Sequence, residues 1–300
     1  MSISSNRVTG ASIHTRVMGD LQRNMAQGQK LTEQISSGKQ LHRPSDSPTG
    51  TVTSLQLRGE MRATQQYSRN ANDGLGWLGT IQDKLADAST SIIRVRDLTV
   101  QALNASNTAE SGEALAVEID NIRATLIGEA NSKFMGRPVF GGTTPGTEAY
   151  DPGTGAYKGN EGQTTRTVGP NSKVRIETSG PEAFGAEGSD TQLFKVLSDL
   201  SAAIRSGDRT SLDKGLGKID TAHDLLKATL SDVGARYNRV TQMKQSAEDH
   251  LLSVSSQLSD IEDVDLPKAM MELQIQQTSY QAALAATAKV IQPSLIDFLR

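Results

Sequence analysis

The side chains that could carry catalytic or metal chemistry are few in this chain and far apart. There is no cysteine, which excludes disulfides, thiolate nucleophiles and cysteine-ligated metals. The histidines are scattered over predicted helices and turns without the spacing of a metal site: His14, His42, His223 and His250. His223 falls on an apolar helical seam, where a tolerated polar residue is a simpler interpretation than a ligand. The sequence therefore predicts no histidine-based site.

One acidic cluster and one glycine pair are the remaining candidates for a ligand site. The cluster, Asp260-Ile261-Glu262-Asp263-Val264-Asp265, offers the hard oxygen ligands that Ca²⁺ and Mg²⁺ prefer. Acidic residues are equally expected at a helix N-terminus, where they cap free N–H groups and interact with the dipole, and we favour that interpretation. Gly153-Thr154-Gly155 lacks the preceding strand and following helix of a dinucleotide loop. We therefore expect no enzyme activity, no cofactor and no metal.

Charge and hydropathy exclude further classes of partner. The net charge of −3 and the lack of a Lys/Arg cluster argue against nucleic acid. No apolar run reaches the roughly 18–20 residues that a membrane span requires. The N-terminus also lacks the apolar core of a secretory signal peptide. The sequence therefore predicts neither a membrane protein nor a client of the general secretory route.

The elements that organise the chain are helices at its two ends. The last stretch, Leu266 to Arg300, carries a heptad seam with four-three spacing, and its positions are 266, 270, 273, 277, 280, 284, 287, 291 and 298. No charged residue occurs from Leu273 to Ala288. A solvated helix normally carries charge on its outer face, so this helix is either an ordinary buried helix or one that is covered only when many copies assemble.

Residues 1–40 are predicted to form a weaker helix that ends at Gly38, a favourable C-cap. Its seam continues the four-three spacing through Val17, Leu21, Gly28, Leu31 and Ile35. Glycines in its interior make it marginal alone, so we expect it to become ordered on assembly. A proline-containing turn follows at 41–48.

Longer amphipathic helices flank the middle of the chain. Helical patterns cover about 51–105, with a possible bend or break at Asn72-Asp73-Gly74. After a turn at 104–112, a further helix carries the apolar positions from Leu115 to Leu126 and closes near 133–136. Helix returns at Asp190. The longest seam runs from Leu212 to Ile261, is interrupted only by His223 and Lys244, and predicts a helix of roughly 75 Å.

Residues 136–189 are rich in glycine and proline and contain short alternating runs, which is typical of a small β domain. The predicted fold is therefore mainly α: an elongated rod of long antiparallel coiled-coil helices, with paired N- and C-terminal helices and a small inserted β domain. We expect a terminal helical domain at 1–48 and 264–300, a helical rod domain at 49–135 and 190–263, and the β domain at 136–189.

Several motifs resemble the flagellin-like family. The run 35–48, with its Arg43-Pro44-Ser45-Asp46 turn, is similar to the family's N-terminal signature. The segments 70–74 and 94–102 resemble the shared core, and 261–265 and 292–300 resemble the C-terminal end. The resemblance covers about four fifths of the chain and is weaker in the β insert. Filament flagellins typically carry an Ala-Lys-Asp-Asp-Ala-like turn where this chain has Arg-Pro-Ser-Asp, so the resemblance favours the hook-associated junction proteins of this family.

That resemblance implies a structural adaptor of the bacterial flagellum, placed between the hook and the flagellin filament. Its implied partners are the proximal hook-associated junction protein, flagellin, and further copies of itself in a ring, with an export chaperone at the C-terminal helix. The resemblance also implies export through the flagellar type III apparatus, without a cleavable signal peptide, to an extracellular location. Filament flagellin and a secreted coiled-coil fibre or adhesin are the alternatives.

The assembly contacts that we predict lie on the two terminal helices. They are Val17, Leu21, Leu31, Ile35, Leu273, Tyr280, Leu284, Ile291, Leu295 and Phe298. Packing within a single chain explains each of them equally well.

Overall fold

The computed structural model describes residues 10–104, 109–146 and 148–291. Helices dominate these residues, which confirms the predicted mainly-α class. The helices are α1 (Gly10–Ser37), α2 (Pro48–Asn104), α3 (Ala109–Ala130), α4 (Gly180–Phe184), α5 (Leu193–Ser206), α6 (Arg209–Glu262) and α7 (Leu266–Ile291). The strands are β1 (Lys133–Phe134), β2 (Arg137–Pro138), β3 (Thr165–Gly169) and β4 (Ser172–Arg175).

The chain divides into two compact units. Unit 1 contains residues up to Arg62 together with those from Leu252 onward, and unit 2 contains Ala63–Leu251. In unit 1, α1 packs along α7, which confirms the predicted pairing of the terminal helices. The predicted division into three domains stays a prediction.

The turn between α1 and α2 follows the predicted helix stop and start. Gly38 adopts φ +72°, a left-handed conformation that favours glycine, and its N–H donates to Gln34 O at 2.9 Å. Ser47 caps α2, because its Oγ accepts from Gly50 N at 3.1 Å, and Pro48 occupies the first helical position.

Helix α2 continues through Asn72-Asp73-Gly74, so the possibility of a break there is wrong. The glycine has a packing role instead. A Cβ on Gly74 would lie 3.1 Å from the Ile176 side chain, and one on Gly76 would lie 2.6 Å from the Phe134 ring. Both glycines therefore allow the insert to approach the helix closely.

Helix α6 confirms the predicted long seam. Every seventh residue along it is buried: Leu212, Ile219, Leu226, Val233, Val240, Ala247 and Val254. The other seam positions are half-buried, apart from His223, which is buried. His223 packs as a polar core residue, with Nε2 3.0 Å from Ser89 Oγ. Burial and the nearby Lys227 lower the pKa of His223.

The insert of unit 2 contains less β structure than predicted. Strands β1 and β2 form one antiparallel pair, and β3 and β4 form another with an irregularity near Gly169. Much of the remainder is turns and the short α4, because its many glycines favour tight turns over long strands. Its aromatic side chains belong to the same hydrophobic core as α2, α3, α5 and α6; they include Phe140, Tyr150 and Phe184, and the last two pack against Phe194 of α5. None of the described helices is long and apolar enough to cross a membrane.

Candidate assembly surface on unit 1

The inner side of α1 follows the predicted seam. Leu21 and Leu31 are buried, and Val17, Gly28 and Ile35 are half-buried. These positions repeat at four-three spacing, as expected for a helix packed lengthwise against another. The structure thus places the predicted α1 contact residues in a stripe that is largely covered within one chain.

The seam of α7 lies elsewhere than predicted. Its covered positions, which we call the inward row, are Ala269, Leu273, Gln276, Tyr280, Ala283 and Thr287. Four predicted seam positions are exposed instead: Leu266, Met270, Gln277 and Leu284. The prediction followed the largest apolar side chains, whereas the small Ala269 and Ala283 allow the two helices to approach closely. Leu273, Tyr280 and Thr287 belong to both patterns.

Polar contacts fix the register between α1 and α7. The Gln276 side-chain amide donates to Asn24 O at 3.1 Å and to Asn24 Oδ1 at 3.2 Å. The Tyr280 hydroxyl donates to Met25 Sδ at 3.9 Å. A groove of about 560 Å³ lies over this contact, with Leu273 in its wall. The pair is therefore held by amide and thioether contacts as well as by Leu21 and Leu31.

Large apolar side chains of α7 point away from α1. Among the described residues these are Leu266 (45% exposed), Met270 (61%), Met271 (64%), Ile275 (59%) and Leu284 (43%), and we call them the outward face of α7. The Gln, Ser and Ala side chains that surround the stretch from Ile275 to Ala288 are also mostly exposed. A folded single chain normally covers its large apolar residues and exposes charge, so this arrangement is inverted. Such a face is typical of a surface that another protein covers.

The acidic cluster of the sequence forms a junction between the helix ends of unit 1. Glu262 receives hydrogen bonds from the Arg58 guanidinium at 2.8 and 2.7 Å and from Ser54 Oγ. The Lys39 amino group lies 3.4 Å from Glu262 and also bonds Asp263. Together these five residues form what we call the clasp. Arg58 foremost, with Ser54 and Lys39, lowers the pKa of Glu262 to about 2.

Backbone hydrogen bonds reinforce the clasp. Gln40 N donates to Glu262 O at 2.7 Å, and Val264 N donates to Gly38 O at 3.0 Å. Asp265 caps α7, since its Oδ1 accepts from Lys268 N at 3.1 Å. Asp265 thus caps a helix N-terminus as expected, whereas Glu262 ends α6 and binds cationic side chains, so the N-terminal interpretation is wrong for Glu262. In the described part of the chain, no three His, Asp or Glu side chains are grouped as metal ligands.

A second carboxylate organises the Arg43-Pro44-Ser45-Asp46 turn. Asp46 accepts from Arg43 N at 2.9 Å and His42 N at 3.2 Å, and it pairs with Lys30 at 3.0 Å. The Arg43 amide foremost, with Lys30, lowers the pKa of Asp46 to about 2. The turn is therefore tied back to α1.

The predicted contact residues fall into three groups. Val17, Leu21, Leu31, Ile35, Leu273 and Tyr280 lie between α1 and α7, whereas Leu284 is on the outward face. The remaining predicted residues are not described: only the backbone of Ile291 is, and Leu295 and Phe298 lie outside the described range. Sequence reasoning missed the clasp and the outward residues Met271 and Ile275. The absence of charged residues from Leu273 to Ala288 was the feature of the sequence that indicated the outward face.

Comparison with known proteins identifies the family. The model of the bacterial flagellin N-terminal helical region matches residues 11–144, and that of the C-terminal helical region matches residues 216–299. Together they cover well over half of the chain. The chain belongs to the bacterial flagellin family. As a family member it is a component of the flagellum, with the clasp and both terminal helices inside the matched regions.

The individual relatives include both hook-associated proteins and flagellins. The chain is 25% identical to flagellar hook-associated protein 3 of Salmonella typhimurium, over 92% of this chain and 94% of that protein. It is 28% identical to flagellin of Bacillus subtilis, over 91% and 92% respectively. The solved structure of the flagellar junction protein FlgL from Legionella pneumophila shares the fold, with a TM-score of 0.58 at 14% identity, covering 70% of this chain and 99% of that one.

Proposed function

We propose that this chain is the structural adaptor that joins the flagellar hook to the flagellin filament and that it assembles through its terminal helices. The outward face of α7 carries the proposal, because five large apolar side chains on one helix stay 43–64% exposed in the described part of the chain. A neighbouring copy in a ring supplies such cover. The Arg43-Pro44-Ser45-Asp46 turn and the similarity to hook-associated protein 3 favour the junction over the filament itself.

The partners follow from this placement. On one side the ring meets the proximal hook-associated junction protein, and on the other it meets flagellin. An adaptor of this kind is exported unfolded by the flagellar type III apparatus, with a chaperone on the C-terminal helix, and functions outside the cell. The marginal α1, with interior Gly19 and Gly28, suits a chain that orders only when it reaches its neighbours.

Sedimentation of the purified chain tests the proposal. The expected result is a monomer that binds the ends of hooks or filament fragments without elongating them. Growth of long filaments from the pure chain would make it a filament flagellin, and a stable free trimer would make it a secreted fibre.

A charge on the outward face of α7 tests the surface. Ile275→Glu is expected to reduce end binding at least tenfold, because assembly would bury an unpaired carboxylate. Ile93→Glu is the matched control: Ile93 is 48% exposed on α2 in unit 2, against 59% for Ile275. If both variants bind as well as the unchanged protein, the α7 surface is not an assembly contact.

A further inference from the structure

Methionine is concentrated on the exposed sides of α1 and α7. Half of the chain's eight methionines lie there, and each is substantially exposed: Met18 (44%), Met25 (54%), Met270 (61%) and Met271 (64%). Met61 and Met243, by contrast, are half-buried. Two of these four, Met270 and Met271, lie on the outward face of α7 that we assign to assembly.

The chemistry of this side chain gives such a surface two properties. Methionine is unbranched and polarisable, so it adapts its shape to unlike neighbours, which suits a ring that contacts two different proteins. The same thioether is the side chain most readily converted by peroxide to a sulfoxide, a polar and chiral group. A face built from methionine is therefore adaptable and sensitive to oxidation.

We propose that peroxide oxidation of the methionines on α1 and α7 blocks assembly of the free subunit, and that assembly protects the same methionines by covering them. This inference rests on the proposed function. In the reaction a lone pair on Sδ attacks one oxygen of hydrogen peroxide. The S–O bond forms as the O–O bond breaks, the thioether loses two electrons, and the peroxide is reduced to water.

Oxidation has different expected consequences at Met270 and Met271 than at Met25. Met270 and Met271 belong to the outward face of α7, where a sulfoxide oxygen would be buried against an apolar neighbour without a donor. Met25 already accepts the Tyr280 hydroxyl, and a sulfoxide oxygen there can accept the same donor. Oxidation is therefore expected to act on the contacts of α1 and α7 with other molecules rather than on the contact between the two helices.

The test compares the full chain with a variant in which four methionines are leucine: M18L, M25L, M270L and M271L together. Leucine keeps the volume and apolar character but cannot form a sulfoxide. M135L is the matched control, since Met135 is 81% exposed but lies at a hairpin of unit 2. Each protein is treated with hydrogen peroxide, the sulfoxide at each methionine is measured by peptide mass spectrometry, and binding to filament ends is measured by co-sedimentation.

After treatment, the unchanged protein and M135L are expected to lose end binding at least tenfold, while the four-leucine variant retains it. Circular dichroism should show no loss of helix. Methionine sulfoxide reductases A and B should restore binding of the oxidised protein. This measurement uses the unchanged protein, so it tests the inference even if the four-leucine variant folds poorly. Oxidised protein that still binds, or reductase treatment that restores nothing, overturns the inference. Untreated protein that fails to bind at all overturns the proposed function first, and this inference with it.

Discussion

At the scale of single residues, Glu262 has the most demanding environment in unit 1. Its side chain is 6% exposed, while those of its partners Arg58 and Lys39 are 49% and 45% exposed. A carboxylate that is so covered depends on its hydrogen bonds, whereas the cations retain water. The stability of the clasp therefore depends on the charge of one residue.

Replacement of that carboxylate by an amide tests this dependence. Glu262→Gln keeps the shape but removes the charge that Arg58 and Lys39 bind, and we expect a loss of about 1–3 kcal/mol in the unfolding free energy of unit 1. Glu272→Gln, on an exposed position of α7, is the control and should change stability by less than about 0.5 kcal/mol. Urea titration followed by helix content makes the comparison, and equal losses in both variants would contradict the role of the clasp.

The clasp also predicts how stability depends on pH. The pKa of Glu262 is about 2 in the folded chain against 4.5 ordinarily, so the folded state favours the charged form. Its stabilisation is fully present above pH 4.5 and is lost as the pH falls towards 2. We expect the midpoint of urea unfolding to drop across this window in the unchanged protein and to drop less in Glu262→Gln. Parallel pH profiles would show that other carboxylates carry the effect.

At the scale of elements, the heptad pattern predicted two helices with different success. In α6 the seam was correct because large apolar residues recur at the positions that the structure buries, from Leu212 to Val254. In α7 the inward row contains the small Ala269 and Ala283, so a pattern read from size was correct at Leu273 and Tyr280 but wrong at four other positions that are exposed. A single sequence does not state whether an apolar stripe faces its own chain or another molecule.

Glycines in α2 give a paired prediction at this scale. Gly76→Ala is expected to destabilise unit 2 by about 1–2 kcal/mol, since the new methyl would meet the Phe134 ring at 2.6 Å, and overpacking outweighs the gain in helix propensity. Gly79→Ala meets its nearest neighbour, Tyr237, at 3.8 Å and should stabilise by about 0.5–1 kcal/mol. Thermal unfolding of both variants decides the matter. A stabilised Gly76→Ala would mean that the hairpin moves away without cost.

Also at the scale of elements, we predict how well ordered α1 and α7 are in the free monomer. Because α1 contains Gly19 and Gly28 and the outward face of α7 is 43–64% exposed, we expect the amides of both helices to exchange rapidly in the monomer. Protection should appear when the chain binds filament ends. Hydrogen exchange with mass spectrometry measures both states, and strong protection of 10–35 and 270–291 in the free monomer would contradict assembly-dependent order.

At the scale of the whole molecule, the two ends of the chain carry the proposed assembly role and unit 2 has its own core. Deletion of residues 295–300 is therefore expected to abolish binding to hook or filament ends while leaving the unfolding of unit 2 unchanged. Motility of cells that express only the shortened chain provides the readout. Swimming at the normal level would remove the C-terminal residues from the assembly contact.

At this scale, a single sequence does not predict which residues far apart in the chain contact each other. The positions of the long helices, the stop at Gly38 and an aspartate cap within the acidic cluster follow from local residue types and were predicted. The clasp was not, because the two residues Lys39 and Glu262 are separated by 223 positions and nothing in either neighbourhood identifies the other. The charge-free stretch of α7 indicated a covered surface but not which side chains of unit 1 compose it.

The separation of Lys39 and Glu262 along the chain determines when the clasp can form. During synthesis Lys39 is made early, and its partner Glu262 follows 223 positions later. The clasp therefore cannot close until all of unit 2 has been made, and closing so long a loop carries an entropic cost that falls once the intervening unit 2 has folded. The clasp thus acts as a completeness check, because a truncated or stalled chain lacks the residues that would close unit 1.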